Sequence, residues 1–144
     1  MKTLMEKLRT IAGKLDSLIL LLLRLTLAYG FYVPAKMKWN DIHAIGSWFE
    51  SMGYPFPYLN AYLAGITEVA GVILLLLGLG TRIISLPLIV VMLVAIFTVH
   101  IGNGFEAGNN GFEIPFYYML MLGSLVVFGG GKYSVEYFVC KRKQ

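Results

Sequence analysis

Residues 61–100, AYLAGITEVAGVILLLLGLGTRIISLPLIVVMLVAIFTVH, decide the fold, because two long apolar runs lie on either side of one short break at GLGTR. Each run approaches the roughly 20 residues that a helix needs to cross the hydrocarbon layer of a bilayer. Similar apolar runs occur before and after this stretch, the first interrupted only by Arg24. The sequence therefore predicts four transmembrane helices, near residues 17–35, 59–80, 83–101 and 113–129.

The composition of the 144-residue chain supports a lipid environment. Hydrophobic residues make up 58% of it and charged residues only 14%, whereas a soluble domain carries about 25% charged residues. We therefore predict an all-α membrane protein, with one domain over residues 1–144 folded as a four-transmembrane-helix bundle. A cleaved signal peptide is the alternative for the first run, but its small-residue cleavage site is weak, so we expect residues 1–33 to remain in the mature chain.

Two further segments have amphipathic helical patterns. In the N-terminal segment, Leu4, Leu8, Ile11 and Leu15 recur at helical spacing, which predicts a helix at the membrane surface that runs into helix one. The first loop, DIHAIGSWFESMGYPFPY, predicts a second short helix. It is either an interfacial helix in the aromatic belt or a lid over an outward-facing pocket, with one apolar face formed by Ile42, Ile45, Trp48, Phe49 and Met52.

The distribution of Lys and Arg predicts the orientation. Basic residues precede helix one, occur at Arg82 between helices two and three, and close the chain in CKRKQ, whereas the loop between helices three and four has only acids. The positive-inside rule then places both termini in the cytoplasm. In a bacterium, we expect a multi-pass protein of the inner membrane whose 101–112 loop faces the periplasm. The basic residues used here are Lys2, Lys7, Arg9, Lys14, Arg82, Lys141, Arg142 and Lys143.

The sequence lacks the residues that several kinds of chemistry require. Cys140 is the only cysteine, which excludes an internal disulfide and a Cys-x-x-Cys relay. No glycine-rich phosphate loop stands between a strand and a helix, so no nucleotide or flavin fold is encoded, and no basic and aromatic interleaving indicates nucleic acid. His43 and His100 match no metal-ligand spacing, and a haem on His100 lacks a second ligand. The cofactor stays open, with a quinone as a candidate.

Two ionisable residues, Arg24 and Glu68, fall deep inside predicted helices. Such a residue costs about 3 kcal/mol to insert, so it needs a partner or a function. At 1.5 Å per residue, Arg24 lies ~16 Å from the outer end of helix one and Glu68 ~13 Å from the outer start of helix two. The matching depths predict either an ion pair that locks the two helices or a site in which Arg24 holds a ligand and Glu68 relays protons.

A second group of candidate site residues lies at the outer end of the predicted bundle. His100 ends helix three, Glu113 opens helix four, and Lys36 ends helix one. A base, an acid and a cation are therefore expected at the same depth, at the outer end of the bundle. For Glu113 the alternative is a capping box, because Asn110 stands three residues before it. For His100 the alternative is a hydrogen-bonded interfacial histidine.

The small residues Ala61 and Gly65 stand four apart in helix two. Such pairs let membrane helices approach closely. They permit a homodimer or contact with a partner redox protein, and the sequence leaves both open.

Four runs of the sequence resemble the DoxX family of small four-helix bacterial membrane proteins. They are LLLRLTLAYGFYVPAKMKW, LAGITEVAGVILLLLGLGTR, MLVAIFTVHIGNGF and NNGFEIPFYYMLMLGSLVVFGGGKYSVEYF. The resemblance runs from about residue 18 to 137 and implies an association with membrane redox chemistry, since some relatives resemble subunits of thiosulfate–quinone oxidoreductases. Its specific positions are Arg24, Lys36, Glu68, Gly71, Gly78, Thr81, Arg82, His100 and Glu113.

Our leading hypothesis is a membrane oxidoreductase component that binds a quinone or a small reductant. Arg24 and Lys36 would bind the ligand, and Glu68, His100 and Glu113 would move protons. The alternative is a non-catalytic membrane scaffold for a partner enzyme. A carrier of small solutes or metals is a third hypothesis, which four helices make difficult without oligomerisation.

Overall fold

The computed structural model describes residues 2–141. Those residues form six α-helices and no strand: α1 Lys2–Asn40, α2 Ile42–Ser51, α3 Pro57–Leu77, α4 Thr81–Ala95, α5 Glu113–Phe128 and α6 Val135–Lys141. The backbone of Arg142 and Lys143, and the side chains of Lys2, Leu4, Lys7, Leu8, Arg9 and Lys14, lie outside the described part.

The predicted all-helical fold is confirmed over the described residues. Three segments are long and apolar enough to cross a membrane: Leu15–Asn40, Pro57–Leu77 and Thr81–Asn103. The fourth predicted span, Glu113–Phe128, is apolar but has only 16 residues, or about 24 Å of helix, against a hydrocarbon core of about 30 Å. Its crossing of the membrane stays a prediction.

α1 is longer than predicted. It runs without a break from the N-terminal segment into the first span, as expected, and it ends at Asn40 rather than near residue 35. Pro34 lies inside the helix and does not end it, since membrane helices tolerate the loss of one backbone hydrogen bond. Asp41 then caps α2, because its carboxylate accepts from the backbone N–H of Ala44 at 2.9 Å.

A tight turn joins α3 to α4. Gly78 and Gly80 both have positive φ, at 68° and 53°, a conformation that glycine adopts at no steric cost. The N–H of Gly78 closes α3 by donating to Leu74 O at 2.8 Å, as in the common glycine termination of helices. α3 and α4 therefore form a hairpin with its closed end at this turn.

The four long helices form a ring. α3 packs against α1 and α4, α5 packs against α4 and α1, and α2 lies on α3. We call the end with Asn40, Pro57 and the 101–112 loop the distal end, and the end with the Gly78–Gly80 turn the proximal end. The core between the helices is fully buried at Leu27, Phe31, Leu75, Leu88, Leu122 and Leu125.

Candidate functional site

A cavity of about 790 Å³ lies in the distal half of the ring. All four long helices contribute to its wall, and α2 with the following loop contributes Trp48, Phe49, Tyr54 and Pro55. These contacts favour the lid interpretation of the first-loop helix. Most of the lining is apolar, and the polar exceptions are Lys38, Tyr54, Asn60, Thr67, Glu68, His100 and Tyr118.

An ion pair between Lys38 and Glu68 lies in the cavity wall. Lys38 Nζ donates to Glu68 Oε1 at 2.9 Å and to Oε2 at 3.0 Å. The side chain of Glu68 is 2% exposed and that of Lys38 is 17% exposed. Because both carboxylate oxygens share one ammonium group, the pair adds no net charge to the cavity.

Close contact between α1 and α3 brings the two charges together. Gly65, one turn before Glu68, faces the indole of Trp39, and a Cβ at this position would come within 3.2 Å of Trp39 Nε1. Ala61 is also fully buried. The small residues of α3 therefore serve helix packing inside the chain, which leaves no surface at Ala61 and Gly65 for the homodimer that the sequence permitted.

His100 lines the cavity and ends a π-helical turn, Ile96–His100. Its Nδ1 lies 2.8 Å from Asn110 O. Since a carbonyl oxygen only accepts, Nδ1 donates, and Nε2 is left as the ring nitrogen available to a ligand. The histidine is thus both hydrogen-bonded to the 101–112 loop and part of the cavity wall.

Glu113 forms hydrogen bonds with the 101–112 loop, called the distal loop below, and does not line the cavity. Its Oε2 accepts from the backbone N–H of Ala107 at 3.0 Å, and its Oε1 accepts from the Tyr117 hydroxyl at 3.2 Å. The capping-box alternative is wrong in detail. Asn110 has a left-handed backbone, and Phe112 is the N-cap, with no side-chain hydrogen bond, because the chain makes an extra turn before α5 begins.

The predicted ion pair between Arg24 and Glu68 is wrong. Arg24 is fully buried, and it donates through Nη2 to Tyr133 O at 2.6 Å and through Nη1 to Leu75 O at 3.3 Å. Leu75 lies two turns from Glu68, or about 10 Å along α3. Arg24 therefore ties α1 to the proximal end, outside the cavity.

Lys36, the predicted cation at the end of helix one, is exposed and does not line the cavity. At about 100° per residue, Lys36 and Lys38 point in directions about 200° apart, so only Lys38 faces α3. Of the five predicted site residues, the structure brings Glu68 and His100 to the cavity and leaves Arg24, Lys36 and Glu113 outside it.

Sequence reasoning missed Lys38, although a signal for it existed. The buried face of α1 passes through Arg24, Leu27, Phe31 and Ala35, and the next position on that face is Lys38. Ending helix one at residue 35 removed this position from the helical pattern. Tyr118 was also missed, because one tyrosine among several in an apolar helix carries no distinguishing signal.

Among the side chains that the structure describes, no three His, Cys, Asp or Glu residues group closely enough to hold a metal ion. The candidate site therefore rests on the ion pair, His100 and the apolar wall.

Comparison with known proteins finds similar chains in two bacteria. An uncharacterized protein of Haemophilus influenzae is 31% identical over 130 residues, covering 85% of this chain and 83% of its own length. A Bacillus subtilis protein named "Putative oxidoreductase CatD" is 31% identical over 126 residues, covering 86% of this chain and 89% of its own length. No solved structure matches the chain. The sequence profile of the DoxX family matches residues 19–101, a range that includes Lys38, Glu68 and His100, and the chain therefore belongs to the DoxX family of membrane proteins.

Proposed function

We propose that this protein is the quinone-binding membrane component of an oxidoreductase. The observation that carries the proposal is the charge-neutral pair of half-buried Lys38 and buried Glu68 in the wall of a largely apolar cavity. The name "Putative oxidoreductase CatD" of the Bacillus subtilis relative supports a redox role.

The cavity suits a neutral ring that carries carbonyl groups. Its volume of about 790 Å³ lies in the range of about 300–1,000 Å³ that small-molecule sites occupy. Because Lys38 is already neutralised by Glu68, a ligand with a net charge would gain little from it. An ammonium group has three N–H donors, however, and the donor that Glu68 does not take can bind a carbonyl oxygen.

The chemistry proposed for this site is a two-electron reduction. A quinone takes up two electrons and two protons, and each carbonyl oxygen becomes a hydroxyl. The electrons come from a reduced partner protein or small reductant, because the chain has no redox pair of its own. The two protons come from water: Glu68 and His100 each take up one and pass it to a ring oxygen. Lys38 stabilises the charge that develops on the oxygen it contacts.

The proposed setting is the bacterial inner membrane, crossed by α1, α3, α4 and α5 with both termini in the cytoplasm. The cavity then lies in the periplasmic half of the membrane. A donor would reach it from the periplasmic side, beneath α2 and beside His100.

The test compares two lysines that stand two residues apart. Purified wild type, Lys38→Met and Lys36→Met in lipid nanodiscs are titrated with short-tailed ubiquinone and menaquinone analogues. A hydrogen bond to a charged group contributes about 1.5–3 kcal/mol, so Lys38→Met should weaken binding about ten- to hundredfold. The exposed Lys36→Met is the matched control and should bind as the wild type does.

Two results would contradict the proposal. One is the absence of binding of any analogue to the wild type, which would favour the scaffold alternative. The other is equal affinity of Lys38→Met and Lys36→Met when the titration is referred to the folded fraction of each variant.

A further inference from the structure

One side of the cavity is lined by apolar residues that are also exposed. Leu63 on α3 is 53% exposed, and Val90 and Val94 on α4 are 57% and 42% exposed, yet all three line the cavity. Apolar side chains that are this exposed and also line the cavity point to an opening at their positions. Since these residues lie inside segments able to cross a membrane, the opening faces lipid.

The helical pattern explains why the opening lies between α3 and α4. The core face of α4 passes through Ile84, Leu88, Met92 and Ile96. The neighbouring face lines the cavity and carries Pro87, Val90, Val91, Val94 and Ala95. On α3, the matching face carries Asn60, Leu63, Ala64 and Thr67. Most of these side chains are short, so they leave space between the two helices.

The opening is bounded above and below. At its proximal edge, α3 and α4 are in close contact, because a Cβ on Gly71 would come within 2.8 Å of Leu88 Cδ1. At its distal edge, the Tyr54 hydroxyl in the loop before α3 donates to Thr98 Oγ1 on the π-helical turn. We call the gap between these two contacts the side window.

Two other helix pairs of the ring are closed near the cavity, and the third pair, α4 and α5, packs closely along the bundle. Between α1 and α3 lie the ion pair and the contact of Trp39 with Gly65. Between α1 and α5, the ring of Tyr118 lies against the backbone of Gly30, and its centroid is 5.7 Å from that of Phe31. The other exposed wall residues are Trp48, Pro55, Pro87 and Ile114. Pro87 lies on the window face of α4, Pro55 lies beside Tyr54 at the distal edge of the window, and Trp48 and Ile114 lie toward the distal end.

We propose that the cavity takes its ligand directly from the lipid phase through the side window, and that the bound ligand keeps an apolar tail in that window. This inference rests on the proposed function and narrows its substrate class to single-tailed, membrane-dissolved quinones. The ring lies beside Lys38 and Glu68, and the tail leaves between α3 and α4 past Ala64 and Val90. The neutral wall of the window can stabilise hydrocarbon but offers no partner to a charged group.

The test is the dependence of affinity on tail length. Wild type, Val90→Trp and Leu86→Trp in nanodiscs are titrated with quinone analogues that share one ring and carry either no tail or a tail of several isoprene units. Leu86 is the matched control, because it is equally exposed on α4 but does not line the cavity. Dissociation constants are calculated from the concentration of the ligand in the lipid phase, so that the stronger partitioning of tailed analogues into the membrane does not count as affinity.

We expect the tail to increase the affinity of the wild type and of Leu86→Trp at least tenfold, and to have less than a threefold effect in Val90→Trp. Ala64→Phe on the opposite edge of the window, with the exposed Ile66→Phe as its control, repeats the comparison on α3 in case Val90→Trp does not fold.

Equal affinity for tailed and tailless rings in the wild type would overturn the window and leave the ring site intact. The same tail effect in the window variants as in their controls would also overturn it. Failure of every ring to bind would instead overturn the proposed function, and this inference with it.

Discussion

Glu68 and Arg24 show two ways in which a buried charge is accommodated. Glu68 has a cation, Lys38, on both of its oxygens. Arg24 instead donates to two backbone carbonyl groups, and its Nε has no partner among the described residues. Removing one partner of a buried ion pair destabilises the fold by about 3–5 kcal/mol. Arg24, by contrast, connects two backbone segments through its hydrogen bonds to their carbonyl groups. The two residues therefore serve different ends of the bundle.

We expect Arg24→Ala to lower stability without changing ligand affinity. The substitution removes hydrogen bonds to Leu75 O and Tyr133 O, each worth about 1.5–3 kcal/mol for a charged donor, and frees the segment before α6. Thermal unfolding in detergent measures the stability, and quinone titration of the folded fraction measures the affinity.

The exposed Arg82→Ala is the comparison for Arg24→Ala and should unfold at nearly the wild-type temperature. Loss of quinone affinity in folded Arg24→Ala would contradict the assignment of Arg24 to the proximal end and would restore its role as a ligand anchor.

At the scale of elements, the contact of α1 with α5 depends on one glycine. A Cβ at Gly30 would overlap the Tyr118 hydroxyl oxygen. The tyrosine ring occupies that space and forms part of the cavity wall. Gly30 costs α1 about 1 kcal/mol of helix propensity relative to alanine, and in return α5 approaches α1 closely enough to close this side of the ring.

We therefore predict that Gly30→Ala destabilises the protein by about 1–3 kcal/mol, the usual cost of overpacking. Gly13→Ala, in the same helix with no atom within 4 Å of the added methyl group, should be neutral or stabilising. The free energy of unfolding in mixed detergent micelles measures both. In a Tyr118→Leu background the cost of Gly30→Ala should largely disappear, and an unchanged cost there would show that the clash is not with Tyr118.

At the scale of the whole molecule, the orientation in the membrane decides from which side the proposed electron donor would reach the cavity. Cys140 is exposed on α6, at the opposite end of the bundle from the 101–112 loop. It is the only cysteine of the chain, which makes it a natural reporter of the side on which the proximal end lies.

We predict that a membrane-impermeant thiol reagent does not label Cys140 in intact bacterial cells and does label it after permeabilisation. Gly108→Cys in a Cys140→Ser background should show the opposite pattern, because Gly108 is exposed in the distal loop with no atom near its added side chain. Mass shift of the purified protein measures the labelling. Labelling of Cys140 in intact cells would reverse the proposed orientation and place the donor in the cytoplasm.

The helical segments and their lipid environment could be read from the sequence alone. Apolar runs such as residues 83–101 and the short break at GLGTR are local signals, since hydrophobicity, helix length and glycine's backbone freedom act within a few residues. The same local reasoning placed Glu68 and His100 among the candidate site residues, because an ionisable residue inside an apolar helix is recognisable without its neighbours.

Which residues meet, by contrast, follows from the packing of the helices against one another. The matching depths of Arg24 and Glu68 depended on where helix one ends, and an error of five residues is about 7.5 Å along a helix, enough to exchange one partner for another. The choice between Lys36 and Lys38 depended on the rotation of α1, since two residues turn a side chain to the opposite face. The length of α1, its rotation against α3 and the separation of α3 from α4 follow from packing between distant segments, and that packing created both the ion pair and the side window.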